Sequence, residues 1–336
     1  MPAALAIDIG TYSVKAIAGE PGDVVHVQRV AEVFNTTGLA VPTDDASASK
    51  LAQIVDALFS DYSLPRDSVH LSLPETVVSS KVISIPRLND SELASAIGWQ
   101  AEQHIPIPPE ELSLEYQVLY RPKKNEQALM RVLLVGVRKQ VVEQYISIFT
   151  QIGIEPVRVE TQMLSVLRSL HFTPEDPTTL VVHLGASSMN LLMMHGGELQ
   201  FVLSQLNGGQ LLTKTLEQRV GLDVTQAEQY KRTYGLRPDQ FEGKVSQALL
   251  PALQVLFAEV KKAIQYFVSQ HPQATVERIV LSGGSALLPD LVQYVATETG
   301  TEVLIAAPFA NASGEIPEKI NQPGMIVCMG LLSQMK

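Results

Sequence analysis

Short apolar runs separated by polar turns open the chain: "ALAIDI", "SVKAIAG" and "VVHVQRVAEV". Runs of this length, rich in Val, Ile and Ala and bounded by Gly, predict strands near 3–9, 14–19 and 24–33, with another at 69–73. The period then becomes helical. Leu51, Ile54, Val55 and Leu58 lie on one face of a helix expected over about 47–61. From residue 80 the pattern predicts a helix over about 90–104, capped by Asn89 or Asp90. Strands at 114–120 and 130–136 follow on either side of the charged turn "RPKKNEQ", then a helix at 138–151. A helix over about 161–170 precedes "HFTPEDPTT", whose prolines and acids mark a linker. Beyond it lie an apolar hairpin at 181–194 and a helix carrying Leu211, Leu212, Leu216 and Val220 on one side. A helical stretch over 223–270 is expected to be broken by Pro238 and Pro251. A β-rich run, Ile279 to Leu281, then leads through "SGGS" to a helix starting at Ala286. The closing "MIVCMGLLSQMK" is mostly apolar, as a core helix would be.

One polar residue breaks the first strand. In "AIDIGTYSVKAIAGE", residues 6–20, Asp8 sits inside the apolar run, ahead of the turn Gly10-Thr11-Tyr12-Ser13. Gly10 alone could meet a hairpin's demand for positive φ, and Asp8 sits before the turn, so the turn does not account for Asp8. Two readings stand side by side: a hairpin with a rim carboxylate, or a site in which Asp8 serves a hydrated cation while turn N–H groups and hydroxyls face an anion.

The same turn recurs 175 residues later. In "VVHLGASSMNLLMMHGG", residues 181–197, Gly185 falls under Gly10, Ser188 under Ser13 and Gly197 under Gly22. A duplicated lobe, each copy presenting a phosphate-facing hairpin to a shared cleft, explains the repeat. The third motif, "VERIVLSGGSALLPDLVQYV" at 276–295, carries Gly283, Gly284 and Ser285 after a strand, an arrangement that lets backbone approach a ligand closely.

Composition narrows the field. The chain has 336 residues, 46% hydrophobic and 18% charged, enough for two folded lobes. A net charge of -10, with Lys and Arg scattered and densest at the pairs Lys123-Lys124 and Lys261-Lys262, argues against nucleic acid. The single cysteine, Cys328, excludes an internal disulfide framework. No signal-peptide pattern opens the chain and no apolar run reaches membrane-spanning length, so a cytoplasmic protein is expected.

Together the three motifs resemble the phosphate-1, phosphate-2 and adenosine segments of the actin-like ATPase superfamily. The implied fold is α/β: two duplicated ribonuclease-H-like lobes around a nucleotide cleft. Within the superfamily the chain most resembles the PilM family of type IV pilus assembly proteins, over most of its length. The most specific stretch is "LPETVVSSKVISIPRLNDSELASAIGWQAEQHIPIPPEELSLEYQVL", residues 73–119, similar to the inserted subdomain that this family shares in position with FtsA. "LPALQVLFAEVKKAIQYFVSQ" and "APFANAS" are similar to the same family. The implied organisation is a first lobe over 1–79 and 154–175, an insert over 80–153, a second lobe over 176–222 and 272–336, and a helical subdomain over 223–271.

The resemblance implies ATP and Mg²⁺ as cofactors. Asp8 would order the water shell of the metal. Gly10, Thr11, Tyr12, Ser13 and Lys15 would meet the β- and γ-phosphates, with Gly185, Ala186 and Ser187 opposite. Glu228 and Lys231, at i and i+3 in "AEQYKR", would lie beside ribose and adenine, though a surface ion pair reads the same way. Gly208, Gly209, Gly283, Gly284 and Ser285 complete the cleft, and Gln162 would orient water. One position departs from the family pattern: His183 stands where an Asp normally opens the phosphate-2 segment. A neutral imidazole serves a metal or an attacking water poorly there, so weak or absent ATPase activity is expected.

The implied role is a scaffold that binds the N-terminal cytoplasmic peptide of a PilN-like inner-membrane protein and reaches the membrane only through it. The pilus motor ATPases are a further implied contact. Ile85, Pro86 and Trp99 are candidate groove residues, equally suited to the insert's own core. A small-molecule kinase and an FtsA-like or GspL-like platform component are the alternatives. No sugar-pocket motif favours the kinase, and the apolar C-terminal segment lacks the basic amphipathic character of a membrane tether.

Overall fold

The computed structural model describes residues 3–333; the "QMK" end of the expected closing helix lies outside them. The first lobe begins with β1 (Ala4–Ile9), β2 (Ser13–Glu20) and β3 (Val25–Phe34), then α1 (Asp45–Asp61) and β4 (Val69–Leu73). The insert contributes β5 (Val78–Ile85), α2 (Asp90–His104), β6 (Leu112–Tyr120) and β7 (Met130–Arg138). The chain returns through α3 (Lys139–Thr150), β8 (Arg158–Thr161) and α4 (Gln162–Leu170). The second lobe comprises β9 (Thr179–Leu184), β10 (Met189–His195), β11 (Glu198–Gln205), α5 (Gly209–Val220), α6 (Val224–Tyr234), α7 (Lys244–Gln270), β12 (Arg278–Ser282), α8 (Leu291–Thr299) and β13 (Glu302–Ile305). β14 (Ala312–Gly314) then crosses back to the first lobe, and α9 (Ile326–Leu332) follows.

The two lobe sheets share a plan. The first runs β14-β3-β2-β1-β4-β8 and the second β11-β10-β9-β12-β13, each with an antiparallel hairpin joined to a parallel strand. β1 is buried along its whole length because both faces are covered. Leu5, Ile7 and Ile9 pack with Leu51, Val55 and Leu58 of α1 and Tyr145 and Phe149 of α3. Ala4 and Ala6 pack with Cys328 and Met329 of α9, the side to which Asp8 also points. Fully burying each Leu, Ile or Phe contributes about 1.5–3 kcal/mol, so this pattern fixes the strand's register.

Local signals set the helix starts. Asp44 accepts from the Ser47 N–H in a capping box, so α1 begins slightly before the expected turn. Asn89 and Glu92 form a second box at α2, which makes Asn89 the cap. Two expectations fail for tertiary reasons. Pro251 does not break α7, which runs 27 residues through it. It forfeits one bond in the second turn, while Leu249, Ala252 and Leu253 hold both sides in the second-lobe core. After Gly284 the chain makes turns through Asp290 and α8 starts only at Leu291, because Pro289 and the left-handed Asp290 (φ 60) intervene.

In the insert, Ile83, Ile85, Leu93, Ile97 and Met130 form a small core between α2 and the sheet β5-β7-β6. The sequence pattern extends the insert to 153, yet α3 lays Tyr145, Ile148 and Phe149 into the first-lobe core. The segment that packs on itself therefore ends near Arg138. Among the described residues no helix is long and apolar enough to cross a membrane.

Between the lobes α4 crosses α9. A Cβ on Gly330 would overlap the Ser165 carbonyl, so only glycine permits this backbone approach. Arg168 donates to the Gly330 carbonyl at 2.8 Å and to Glu160 at 2.6 Å, which ties α4 to both α9 and β8.

Candidate functional site

The two hairpins face each other across a cavity of about 370 Å³. Their turns are built alike: the Gly10 N–H donates to the Ser13 carbonyl at 3.0 Å, and the Gly185 N–H donates to the Ser188 carbonyl at 2.9 Å. The strands flanking them pair with the same register, Asp8 opposite Lys15 and His183 opposite Asn190, both at the 175-residue offset. Behind each stands a serine on the adjoining parallel strand. Ser72 donates to Asp8 at 2.7 Å, and the Ser282 hydroxyl lies 3.1 Å from the His183 Nδ1. The duplication thus extends from the turns to their buried support.

The cavity gathers most residues named from sequence. Asp8, Gly10, Thr11, Tyr12, Ser13 and Lys15 line it from the first lobe, with Gln162 from the start of α4. Gly185, Ala186, Ser187, Gly209, Glu228, Lys231, Gly283, Gly284 and Ser285 line it from the second. Gly208 lies just beneath. A side chain there would come within 2.6 Å of the Gly185 carbonyl and 2.7 Å of the Ala186 carbonyl.

Bonding distinguishes the roles of these groups. Asp8, only 4% exposed, takes both the Ser72 hydroxyl and the Gln162 amide (2.7 Å) on Oδ1. The Gln162 Oε1 accepts the Glu75 N–H at 3.4 Å, so this amide bridges β1 to the turn after β4. The Ser13 hydroxyl is engaged elsewhere, donating to Glu32 at 2.6 Å. Thr11 Oγ1 is buried without a partner. The first amides of α5 are committed too: the Gly209 N–H donates to Gly185 and the Gln210 N–H to Ala186. An anion in the cavity would therefore meet the turns' own N–H groups rather than the end of α5. Among the described residues no three His, Cys, Asp or Glu side chains are disposed to hold a metal. A cation at Asp8 would arrive with phosphate oxygens and keep much of its water. The orphaned Thr11 hydroxyl and the glycine-lined approach of Gly208 and Gly209 fit a nucleotide phosphate chain.

Glu228 and Lys231 form a buried network. The Lys231 ammonium donates to Glu228 at 2.5 Å, to Thr213 at 2.9 Å and to the Gly209 carbonyl at 3.1 Å. Burial lowers the Lys231 pKa despite its partner; burial pushes Glu228 up, but Lys231, Thr213 and Arg232 outweigh it and hold Glu228 low. Arg232, unmarked by the sequence motifs, donates to Glu228 at 2.7 Å. Its guanidinium also lies 4.8 Å from the Tyr12 ring centre, reaching across the cleft to the first lobe. Burial pulls the His183 imidazole down to about 4, so it is neutral at physiological pH.

The groove residues do not come together in the same way. Ile85 points into the insert core rather than lining a groove, because strand alternation places it beside Ile83. Pro86 is exposed, and Trp99 stands 60% exposed on α2. Gln210 and Glu32 also line the cavity and carried no motif, and Ser188, legible through its repeat partner Ser13, joins them.

Comparison with known proteins places this geometry in context. The family model described as "Type IV pilus assembly protein PilM" matches residues 6–329. A structure titled as the PilM-PilN type IV pilus biogenesis complex is similar over 98% of this chain and 97% of that one, with TM-score 0.83 and 24% identity. The ethanolamine utilization protein EutJ from Carboxydothermus hydrogenoformans matches 99% of this chain and 90% of its own, with TM-score 0.60 and 13% identity. MreB 5 of Spiroplasma citri, bound to AMPPNP, matches 98% and 94%, with TM-score 0.52 and 12% identity. The fold is that of the actin-like ATPases.

Proposed function

Because the chain belongs to the PilM family of type IV pilus assembly proteins, we propose that it is an ATP-binding scaffold of a pilus assembly platform. It works in the cytoplasm and is held at the inner membrane by a PilN-like protein, whose N-terminal cytoplasmic peptide it binds. The observation that carries the nucleotide half is the pair of matched turns, Gly10–Ser13 and Gly185–Ser188, facing one cavity. In this proposal Mg²⁺ neutralises the phosphates, its water shell ordered by Asp8. The turn N–H groups, Thr11 and Lys15 orient the phosphate chain, and the Glu228–Lys231 network sets the wall beside ribose and base.

Hydrolysis is slow in this scheme. Gln162 is bonded to Asp8 and the Glu75 backbone, so its amide holds the site's shape more than it orients water. His183 is neutral and supplies no carboxylate opposite Asp8. The nucleotide acts as a ligand that draws the lobes together around α4 and α9.

For the partner half, the solved PilM-PilN complex supports a PilN-type ligand. A cleft of about 250 Å³ runs between the insert and the second lobe, lined by Val78, Ile105, Pro106, Val202 and Leu203 with Glu75, Ser80 and His104 among them. Apolar walls with a few polar groups suit an extended peptide with apolar anchors. The test is a titration of the full chain with the N-terminal cytoplasmic peptide of the same organism's PilN-like protein, with and without Mg·ATP. The exposed Trp99 gives a fluorescence readout alongside calorimetry. Saturable binding whose affinity changes with Mg·ATP is expected; no binding in either state would overturn the scaffold role.

A further inference from the structure

Directly opposed residues of neighbouring strands lie side by side on one face. In the second lobe this aligns Ser282, His183, Asn190 and Ser204 across four adjacent strands. The first lobe has the matching row Ser72, Asp8, Lys15 and Glu32. That first row is bonded at both ends, Ser72 to Asp8 and Lys15 to Glu32 at 3.9 Å. The second is bonded only at its Ser282–His183 end.

Asn190 is 1% exposed, and neither its amide nitrogen nor its oxygen has a partner. On one side His183 lines the nucleotide cavity. On the other, Ser204 lines the insert cleft together with Glu75, whose Oε2 is also buried and unpartnered. The short helical turn holding Glu75 packs on β11, the strand of Ser204. Buried polar groups are almost always bonded, and two orphans flanking one path call for a small ligand that both donates and accepts.

We propose that ordered water fills the space between Asn190 and Glu75, joining the nucleotide cavity to the insert cleft and coupling nucleotide binding to proton binding at Glu75. The coupling rests on the nucleotide role proposed above. Burial pushes the Glu75 carboxyl up to about 7, against the Ser80 hydroxyl and the Met163 N–H. Few charges face it: His104 at the end of α2 and, behind the neutral Gln162 of α4, Asp8; Ser80 on β5, Ser204 on β11 and, beyond Asn190, neutral His183 complete the surroundings. Phosphates arriving at the His183 end therefore raise the proton affinity of Glu75 along this path.

The test is calorimetry of Mg·AMPPNP binding to the full chain at pH 7, in buffers of different ionisation enthalpy. The wild-type protein should take up about 0.3 proton more than Glu75→Gln. Asn190→Leu, which interrupts the path outside the nucleotide cavity, should fall to the Glu75→Gln level while keeping affinity within about threefold. Equal uptake by wild type and Glu75→Gln, or an Asn190→Leu variant matching wild type, overturns the coupling. A high-resolution crystal structure gives an independent check: ordered water bonded to the Asn190 amide is expected, and a dry Asn190 overturns the link. Nucleotide binding without the proton difference defeats this inference alone; no Mg·AMPPNP binding in any variant defeats the nucleotide role with it.

Discussion

Replacing Lys231 with Met keeps the stem that packs against the network and deletes its charge. The ammonium makes three bonds, to Glu228, Thr213 and the Gly209 carbonyl, from an almost fully buried position. Breaking a buried ion pair by removing one partner costs about 3–5 kcal/mol. Here Glu228 keeps Arg232 at 2.7 Å and Thr213 at 2.6 Å, so the expected loss lies lower, about 2–3 kcal/mol. Glu228→Gln leaves the buried ammonium with uncharged acceptors and should lose about 3–4 kcal/mol. The double variant should lose at least about 1 kcal/mol less than the sum of the two. Urea unfolding of the four proteins measures all three quantities. Lys231→Met should also weaken Mg·ATP about tenfold, because the Gly209 carbonyl it releases belongs to the turn of α5 that braces Gly185. A loss below about 0.5 kcal/mol for Lys231→Met, or strict additivity, would refute the idea that this network supports the cleft.

Gly330→Ala should destabilise the chain by about 3 kcal/mol or more, because the new Cβ overlaps the Ser165 backbone; Gly98→Ala, on open α2, should gain about 0.5–1 kcal/mol in the same thermal melts. The Glu75 carboxyl sits near 7 folded against 4.5 unfolded, so the folded state holds the extra proton between those values. Its contribution is complete below about pH 4.5 and is lost as pH rises through 7, by about 3 kcal/mol. The stability of Glu75→Gln relative to wild type should therefore shift by about 3 kcal/mol in the variant's favour between pH 4.5 and 7.5. His183, lowered to about 4 from 6.5, works oppositely and loses stability as pH falls through that window, so the two slopes offset each other near pH 5–6. His183→Asp should raise phosphate release from ATP at least about tenfold by restoring a carboxylate opposite Asp8, and an unchanged rate would show that hydrolysis is limited elsewhere.

Local chemistry was legible from sequence where the chain needs only its neighbours. The 175-residue repeat emerged as two turns with the same Gly-to-Ser bond, because a hairpin's geometry is written in its turn residues. Asn89 capped α2 for the same reason. Tertiary contacts decided the rest. Pro251 reads as a breaker, yet apolar neighbours on either side hold α7 together. Ile85 looks available in the insert's apolar run but is consumed by the core beside Ile83. Arg232 sits next to a named pair, but nothing local says that it crosses the cleft to Tyr12. Asn190 was within reach: it stands at the repeat offset from Lys15, and an Asn inside "MNLLMM" is as anomalous as Asp8 inside its strand.

The most direct measurement is a crystal structure of the full chain with Mg·AMPPNP, because the central claim concerns where a nucleotide sits. The account predicts the phosphates between Gly10–Ser13 and Gly185–Ser188, the metal's water shell against Asp8, and the base beside Glu228 and Lys231. An empty cleft at saturating nucleotide, or phosphates seated away from both turns, would contradict it.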